Sequence, residues 1–357
     1  SGRRAGFDAL ELAAELEALA SGMKERIRSR EWVQSEPDCG FMNGYYDNLG
    51  RAVEGAGPEG VRMMLTSQVF ALASDTATES QAAMMVKSAD RYLYHRERGG
   101  YCLNTEFGEG ELTLGRMFGF AYGHKENGAV FSHMAVMYAH ALYGRKMVRE
   151  GYRVIDNLLR QAADFSVSRI YPGIPEYFDR NGRGMYHYLT GAASWLMLTA
   201  VTEMFGVKGK WGDMIFEPKL MAEQFDAKGQ AMIRLRFAGR SFQVTYHNPL
   251  RLEYGVYEIG CMTVGGREWP ENILRKAELE SFAACQEQQI DIWLEEKRVK
   301  RGEKQNESGG TARDHRGLWQ ETDILQLSAW YSRHKGDSDL VPLRKSGAGC
   351  SQLWRGG

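Results

Sequence analysis

The chain of 357 residues has little proline (8), little cysteine (5) and no excess of either charge: 45 Lys and Arg face 46 Asp and Glu, a formal net charge of -1. Each shortage excludes something. Without a basic excess there is no field to hold a nucleic-acid backbone, so no nucleic-acid partner is expected. No apolar run reaches the roughly eighteen residues of a membrane span. The cysteines, Cys39, Cys102, Cys261, Cys285 and Cys350, are odd in number and scattered, with no Cys-x-x-Cys pair. Neither a zinc site nor a disulfide framework is expected, and a reducing cytoplasm is the expected compartment. The start, "SGRRAGFDALELAAELEALA", lacks an initiator Met and the pattern of a cleaved leader, and it reads as the interior of a longer chain.

Glycine, by contrast, is abundant at 41 residues, and aromatic residues make up 11% of the chain. Both concentrate in three loops, "CGFMNGYYDNLG", "RGGYCLNTEFGEGE" and "RIYPGIPEYFDRNGRGMYHYLTG". Loops of this length and composition are uncommon unless they build a site. Aromatic faces with polar rims suit sugars, whose apolar faces stack on rings while their hydroxyls need forked donors and acceptors. Turn-shaping glycines and core tyrosines are the alternative for any one loop; three in one chain favour the site.

Helical periodicity predicts helices at about 8–28, 59–74, 78–93, 129–145, 150–166 and 188–206. Thr78 and Gln81 have the spacing of a capping box, and the break at Gly144 and Arg145 is a stop signal. The helices at 8–28, 78–93 and 150–166 carry charge on one side. Those at 59–74, 129–145 and 188–206 are apolar nearly all round, which predicts burial on every side. Outer and inner helices thus alternate, and each long loop leads into an inner helix. Repeated hairpins of this kind describe a toroid of two concentric helix rings, with about three of the roughly six hairpins a closed ring needs. After Gly206 the texture changes to alternating strands, including a hairpin turning at Ala238-Gly239-Arg240. Residues 1–210 therefore read as half a helical barrel, 211–297 as a small β-sandwich and 298–357 as a divergent or disordered tail.

Each inner helix should point its N-terminus at the loop-rich end, and a helix N-terminus attracts anions. Asn127, Gly128 and His133 stand at one such start, Thr190 and Gly191 at the next, with Arg62 and Thr66 near the third. Histidine and threonine supply hydrogen bonds, and glycine permits close approach to the backbone. A phosphate at this rim is the expected ligand. The alternatives are a core histidine bonded to a backbone carbonyl and, for Thr190-Gly191, a small-residue helix crossing. Tyr45, Tyr46, Glu176 and Tyr177 precede inner helices and should line the same end.

The runs "FMNGYYDNLGRAVEG", "VRMMLTSQVFALAS", "YCLNTEFGE", "LGRMFGFAYGHKENGAVFSHMAVMYAHALY", "RIYPGIPEYF" and "GRGMYHYLTGAASWL" cover about 30–265. Together they resemble the C-terminal half of the glycoside phosphorylases of glycoside hydrolase family ninety-four, the cellobiose and chitobiose phosphorylase family. Within it the wording is most similar to 1,2-β-oligoglucan phosphorylases. The resemblance implies an (α/α)6 barrel followed by a small β domain, and inverting phosphorolysis without cofactor or metal. In that reaction phosphate attacks the anomeric carbon while one carboxylic acid protonates the departing oxygen. His133 and Thr190-Gly191 match the phosphate-binding positions, and Glu176 and Tyr177 the stretch that meets the sugar; Tyr46 and Asn127 join them as expected sugar-binding residues.

The family's general acid lies in a "DWND"-type motif that this chain lacks, so the acid is expected upstream of Ser1. Asp47, Glu106 and Glu109 lie in site loops but match no such motif. The expected partners are inorganic phosphate and a β-linked gluco-oligosaccharide. Family members are often dimers, so a homodimer is compatible with the resemblance. The expected function is a portion of a phosphorylase, inactive alone; a carbohydrate-binding remnant without catalysis is the alternative.

Overall fold

The computed structural model describes residues 8–297, apart from 109–110, 171–172 and 188–189. The expected tail at 298–357 lies outside the described residues. Helix α1 (Ala9–Arg30) starts at Asp8, whose carboxylate accepts from the Leu10 and Glu11 N–H groups. Then come α2 (Leu65–Ala73), α3 (Glu79–Tyr92), α4 (Ser132–Gly144), α5 (Val148–Ala163), the short α6 (Phe165–Ser168) and α7 (Gly191–Leu198). A π-helical stretch, Thr199–Met204, prolongs α7. Among the described residues no helix is long and apolar enough to cross a membrane.

The expected capping box forms at α3. The Thr78 hydroxyl accepts from the Gln81 N–H, and the Gln81 amide oxygen accepts from the Thr78 N–H. Helix α4 ends at Gly144, as its stop signal predicts. It sits at the centre, packed on α2, α5 and α7. Ala135, Tyr138, Ala139, Leu142 and Tyr143 are buried along it, continuous with Val69 and Leu72 of α2 and Val154 and Ile155 of α5.

Two expectations fail. The stretch 59–74 is not one helix: Gly55–Gly57 pairs with Gly60–Arg62 as a tight hairpin, and helix begins only at Leu65. Gly60, at φ 116°, takes the left-handed half of backbone space that ends a helix and turns a chain. Nor is α7 buried all round. Ala192 is its buried residue, while Met197 is 64% exposed, because α7 packs on α4 through one face. On α1, Leu16, Leu19 and Met23 likewise point outward and no residue is buried.

From Val207 the chain is largely strand. Five strands lie in the order Gln230–Phe237, Arg240–His247, Gln288–Glu296, Tyr257–Val264 and Arg267–Trp269. Gln288–Glu296 runs parallel to Arg240–His247 and antiparallel to Tyr257–Val264. The expected hairpin turns through Ala238 and Gly239, both at positive φ, the twist that suits a two-residue connection. Phe242, Val244, Tyr246, Met262, Ile290 and Ile292 fill one face. Val207, Met214, Phe216 and Leu274 of a second, three-stranded sheet join the same apolar cluster. The four described cysteines are free thiols. A buried ion pair links strands to helices: the Lys219 ammonium binds Glu203 of the π-helical stretch and donates to the Tyr143 carbonyl at 2.8 Å.

The loop before α2 is held by two buried side chains. The Gln68 amide exchanges hydrogen bonds with the Met42 backbone, each 2.9 Å. The Glu54 carboxyl accepts from the N–H groups of Gly44 and Met64, both at 2.7 Å, and from the Ser67 hydroxyl. It thereby ties the loop at Gly44 to the residues at the start of α2. Burial pushes this carboxyl up to about 7, against the pull of those donors. An unfolded glutamate ionises near 4.5. The contribution of Glu54 to stability is therefore full below that pH and is lost as pH rises through 7. At about 1.4 kcal/mol per pH unit the loss is about 3 kcal/mol. Urea unfolding of the wild type and of Glu54→Gln should show the variant gaining about that much on the wild type between pH 5 and pH 8. A difference independent of pH would show that the donors outweigh burial and keep the carboxylate ionised.

Candidate functional site

A belt of backbone hydrogen bonds gathers the loops at the starts of α2 and α4. The Leu65 N–H donates to the Leu103 carbonyl, and the Leu103 N–H to the Ala129 carbonyl, both at 2.8 Å. Met64 bridges Asn104. Val130 and Phe131 pair with Phe178 and Tyr177, and these with Gly184 and Met185. The Ser132 N–H, first of α4, donates to the Glu176 carbonyl at 2.9 Å. Glu176 and Tyr177 thus stand beside the first turn of α4, as expected.

That turn has no side-chain cap. The Ser132 hydroxyl and His133 Nε2 are buried and have no hydrogen-bond partner among the described residues. Across from them, the Thr190 hydroxyl caps α7 by accepting from the Ala192 N–H at 3.1 Å. The His133 ring lies against Gly191. A methyl group built there would come within 2.8 Å of Cε1, 2.9 Å of Nδ1 and 3.1 Å of Nε2. His133, Thr190 and Gly191 are therefore brought together. Burial pulls the imidazole below its ordinary 6.5, so near neutrality it is an uncharged donor and acceptor. Two helix starts and an unpartnered ring nitrogen beside a glycine form a cradle suited to a small anion.

A second group lies beside it. The Lys125 ammonium contacts the Glu176 carboxylate at 2.9 Å and sits 3.7 Å from the centre of the Tyr186 ring. The hydrogen bond to Glu176 holds this ammonium above its usual range. Lys125 and Tyr186 both occupy the left-handed region, at φ 51° and 55°, strained for residues with side chains. Sequence reasoning singled out neither. The signal for Lys125 was its place in the polar mouth of an apolar helix.

The other expected residues have different employment. Both ends of the Asn127 amide are engaged within the protein: its oxygen accepts from Asn104 at 3.0 Å and its nitrogen donates to the Phe120 carbonyl at 2.8 Å. Gly128, at φ 71°, is glycine because the Tyr122 ring stands 2.1 Å from where Cβ would be. The Tyr46 hydroxyl donates to Glu31 at the end of α1 at 2.7 Å, and Tyr45 to the Leu114 carbonyl. Arg62 is ion-paired with Glu111 at 2.5 Å. Asp47 accepts from Leu49 and Arg51 and holds its own turn. Glu106 is exposed, and Glu109 lies outside the described residues. Glu36, Asp38 and Cys39 are the one group among the described residues spaced to hold a metal ion. Arg91 and Lys87 already pair with its carboxylates.

Residues 8–206 match the family model described as the glycosyl hydrolase 94 superfamily, catalytic domain, and the chain belongs to that family. It is similar to a solabiose phosphorylase of Paenibacillus borealis, 24% identical over 72% of this chain and 33% of that one. It is similar also to a cellobionic acid phosphorylase of Neurospora crassa, 23% identical over 51% of this chain and 24% of that one. The chain thus spans about a third or less of the length of these relatives. A solved family GH92 alpha-mannosidase of Bacteroides thetaiotaomicron overlaps 80% of this chain and 32% of its own at 12% identity, with a TM-score of 0.28, too low to carry an argument.

An anion in the cradle would favour the protonated imidazole and raise the His133 pKa from its lowered value. By linkage, anion affinity should rise as pH falls through the window below and around 6.5. Sulfate tests this, because its own charge stays constant there. Its affinity by calorimetry should increase by about three- to tenfold from pH 7.5 to pH 5.5, and His133→Asn should abolish the increase.

Proposed function

We propose that this chain is the phosphate- and sugar-holding portion of an inverting glycoside phosphorylase that converts a β-linked gluco-oligosaccharide to α-glucose 1-phosphate. One observation carries the reading: the His133 ring, its Nε2 buried and unpartnered among the described residues, lies against Gly191 at the start of α7, within a chain of the glycosyl hydrolase 94 family. Phosphate held there needs no metal, since the imidazole can donate and the positive ends of two helices favour an anion. A phosphate oxygen attacks the anomeric carbon, forming the new C–O bond as the glycosidic C–O bond breaks. The departing oxygen takes its proton from a carboxylic acid. Lys125 and Glu176 present a donor and an acceptor side by side for sugar hydroxyls, with the Tyr186 ring adjoining.

Two relatives named as phosphorylases support the reaction class. Their names give different sugars, so the β-gluco preference rests on the sequence reading. Three loop carboxylates are engaged elsewhere. Glu176 is ion-paired, Asp47 is bound to its own loop, and Glu54 is buried among its donors. We place the acid upstream of Ser1, with the remaining barrel wall. Residues 1–210 are then half of an (α/α)6 barrel and 211–297 an appended β-sandwich, in an assembly that accommodates a homodimer.

The residues 1–357 should bind phosphate, and His133→Ala should lose that binding. Incubated with phosphate and β-linked gluco-oligosaccharides, the chain should release no glucose 1-phosphate. Turnover near 1 s⁻¹, an ordinary enzymatic rate, would overturn the placement of the acid. Oligosaccharide binding without phosphate binding would replace the proposal with a carbohydrate-binding role.

A further inference from the structure

Gly191 and Trp195 of α7 and Thr199 at the start of its π-helical extension stand four residues apart and so in one row. The facing row of α4 holds His133 and His140, two turns apart. The Trp195 ring lies between them, its centre 6.0 Å from that of His133 and 5.4 Å from that of His140. With His140 the contact is edge-on, the planes 84° apart. His140 is itself fixed: it is buried, and its Nδ1 lies 3.1 Å from the Thr199 hydroxyl. That hydroxyl donates to the Trp195 carbonyl at 2.7 Å, so at His140 it acts as acceptor and Nδ1 carries the proton. Trp195, His140 and Thr199 are thus joined, with Thr199 bonded back to the Trp195 backbone. His133 is the exception, because its Nε2 is buried with no partner among the described residues. A ring without a hydrogen bond has its orientation set by packing.

We infer that Trp195 is the positioning residue of the anion cradle, holding the His133 imidazole against Gly191 so that an incoming phosphate meets an aligned donor. The inference rests on the proposed phosphate reading. Trp195 does not touch the anion. Its indole is the wall that keeps the ring from rotating away, and the bonded His140–Thr199 pair is the buttress behind that wall. A displacement of about 1 Å in such a group can cost up to about 10²-fold.

The test uses the 357-residue chain and inorganic phosphate. Trp195→Leu should weaken phosphate binding by about tenfold or more, within that range, and Trp195→Phe, which keeps a ring, should restore it to within about threefold. In the Leu variant the His133 imidazole resonance should titrate closer to its ordinary 6.5 than in the wild type. Adding His133→Ala to Trp195→Leu should cost little more than His133→Ala alone, since both act through one ring. If the Leu variant fails to fold, the wild type decides. Phosphate should shift the Trp195 indole N–H resonance, identified by its absence in Trp195→Phe; no shift overturns the inference. Unchanged phosphate affinity in Trp195→Leu, or full additivity with His133→Ala, also overturns it. If the wild type binds no phosphate, the phosphate reading fails. The His133 titration then decides the positioning role by itself, and identical titrations in wild type and Leu variant overturn that too.

Discussion

Backbone hydrogen bonding between loops that are far apart in sequence is the constraint on which the site depends. The first N–H groups of a helix have no partners inside it. In α2 and α4 they are met by neighbouring segments: Leu65 by Leu103, and Ser132 by Glu176. Each of those segments is bonded in turn to the next. A loop carrying Glu176 therefore cannot move without disturbing the start of α4, and the start of α4 carries His133. Helix packing supplies the stability, but this belt sets the positions of the chemical groups.

The belt also determines which groups remain free. Asn104, Asn127 and Gly128 fasten one loop to the next, and the bonds they make there use their polar groups. Ser132 Oγ and His133 Nε2 take no part, and both are buried. An orphaned polar atom in the interior costs free energy, about 1–3 kcal/mol each. Of the two, the His133 ring lies against Gly191. Burial also lowers the pKa of His133, which disfavours an isolated buried charge there.

Much of this was legible in the sequence, and the legible parts share a cause. The capping box at Thr78 and Gln81, the stop at Gly144 and the turn at Ala238-Gly239 are decided by residues within a few positions of one another. The meeting of His133 with Gly191 followed from two helix starts aimed at one end. Longer-range effects were not legible. The stretch from Glu59 to Met64 was read as the start of a helix, but Gly60 to Arg62 pairs with Gly55 to Gly57 across a turn at Pro58 and Glu59. Asn127 has the chemistry of a sugar ligand, yet Asn104, 23 residues away, claims its amide oxygen. The apolar surface of α7 suggested burial on all sides, but only the face toward α4 is covered. Sequence periodicity reports which faces are apolar, not which neighbours cover them.

The arrangement of Lys125 and Tyr186 follows from the same constraint. Left-handed backbone costs an ordinary residue on the order of 1 kcal/mol. Lys125 adopts it within the turn where His124 pairs with Asn127, and Tyr186 beside Met185, which pairs with Tyr177. Both turns are anchored in the belt, which holds them in conformations they would not take alone. The return is local: the Lys125 ammonium reaches the Glu176 carboxylate and the Tyr186 ring together. Cation–π contact and a partly buried ion pair each contribute roughly 0.5–1 kcal/mol, comparable to the strain. The group is therefore near balance, and its geometry is set by the backbone rather than by its own attraction.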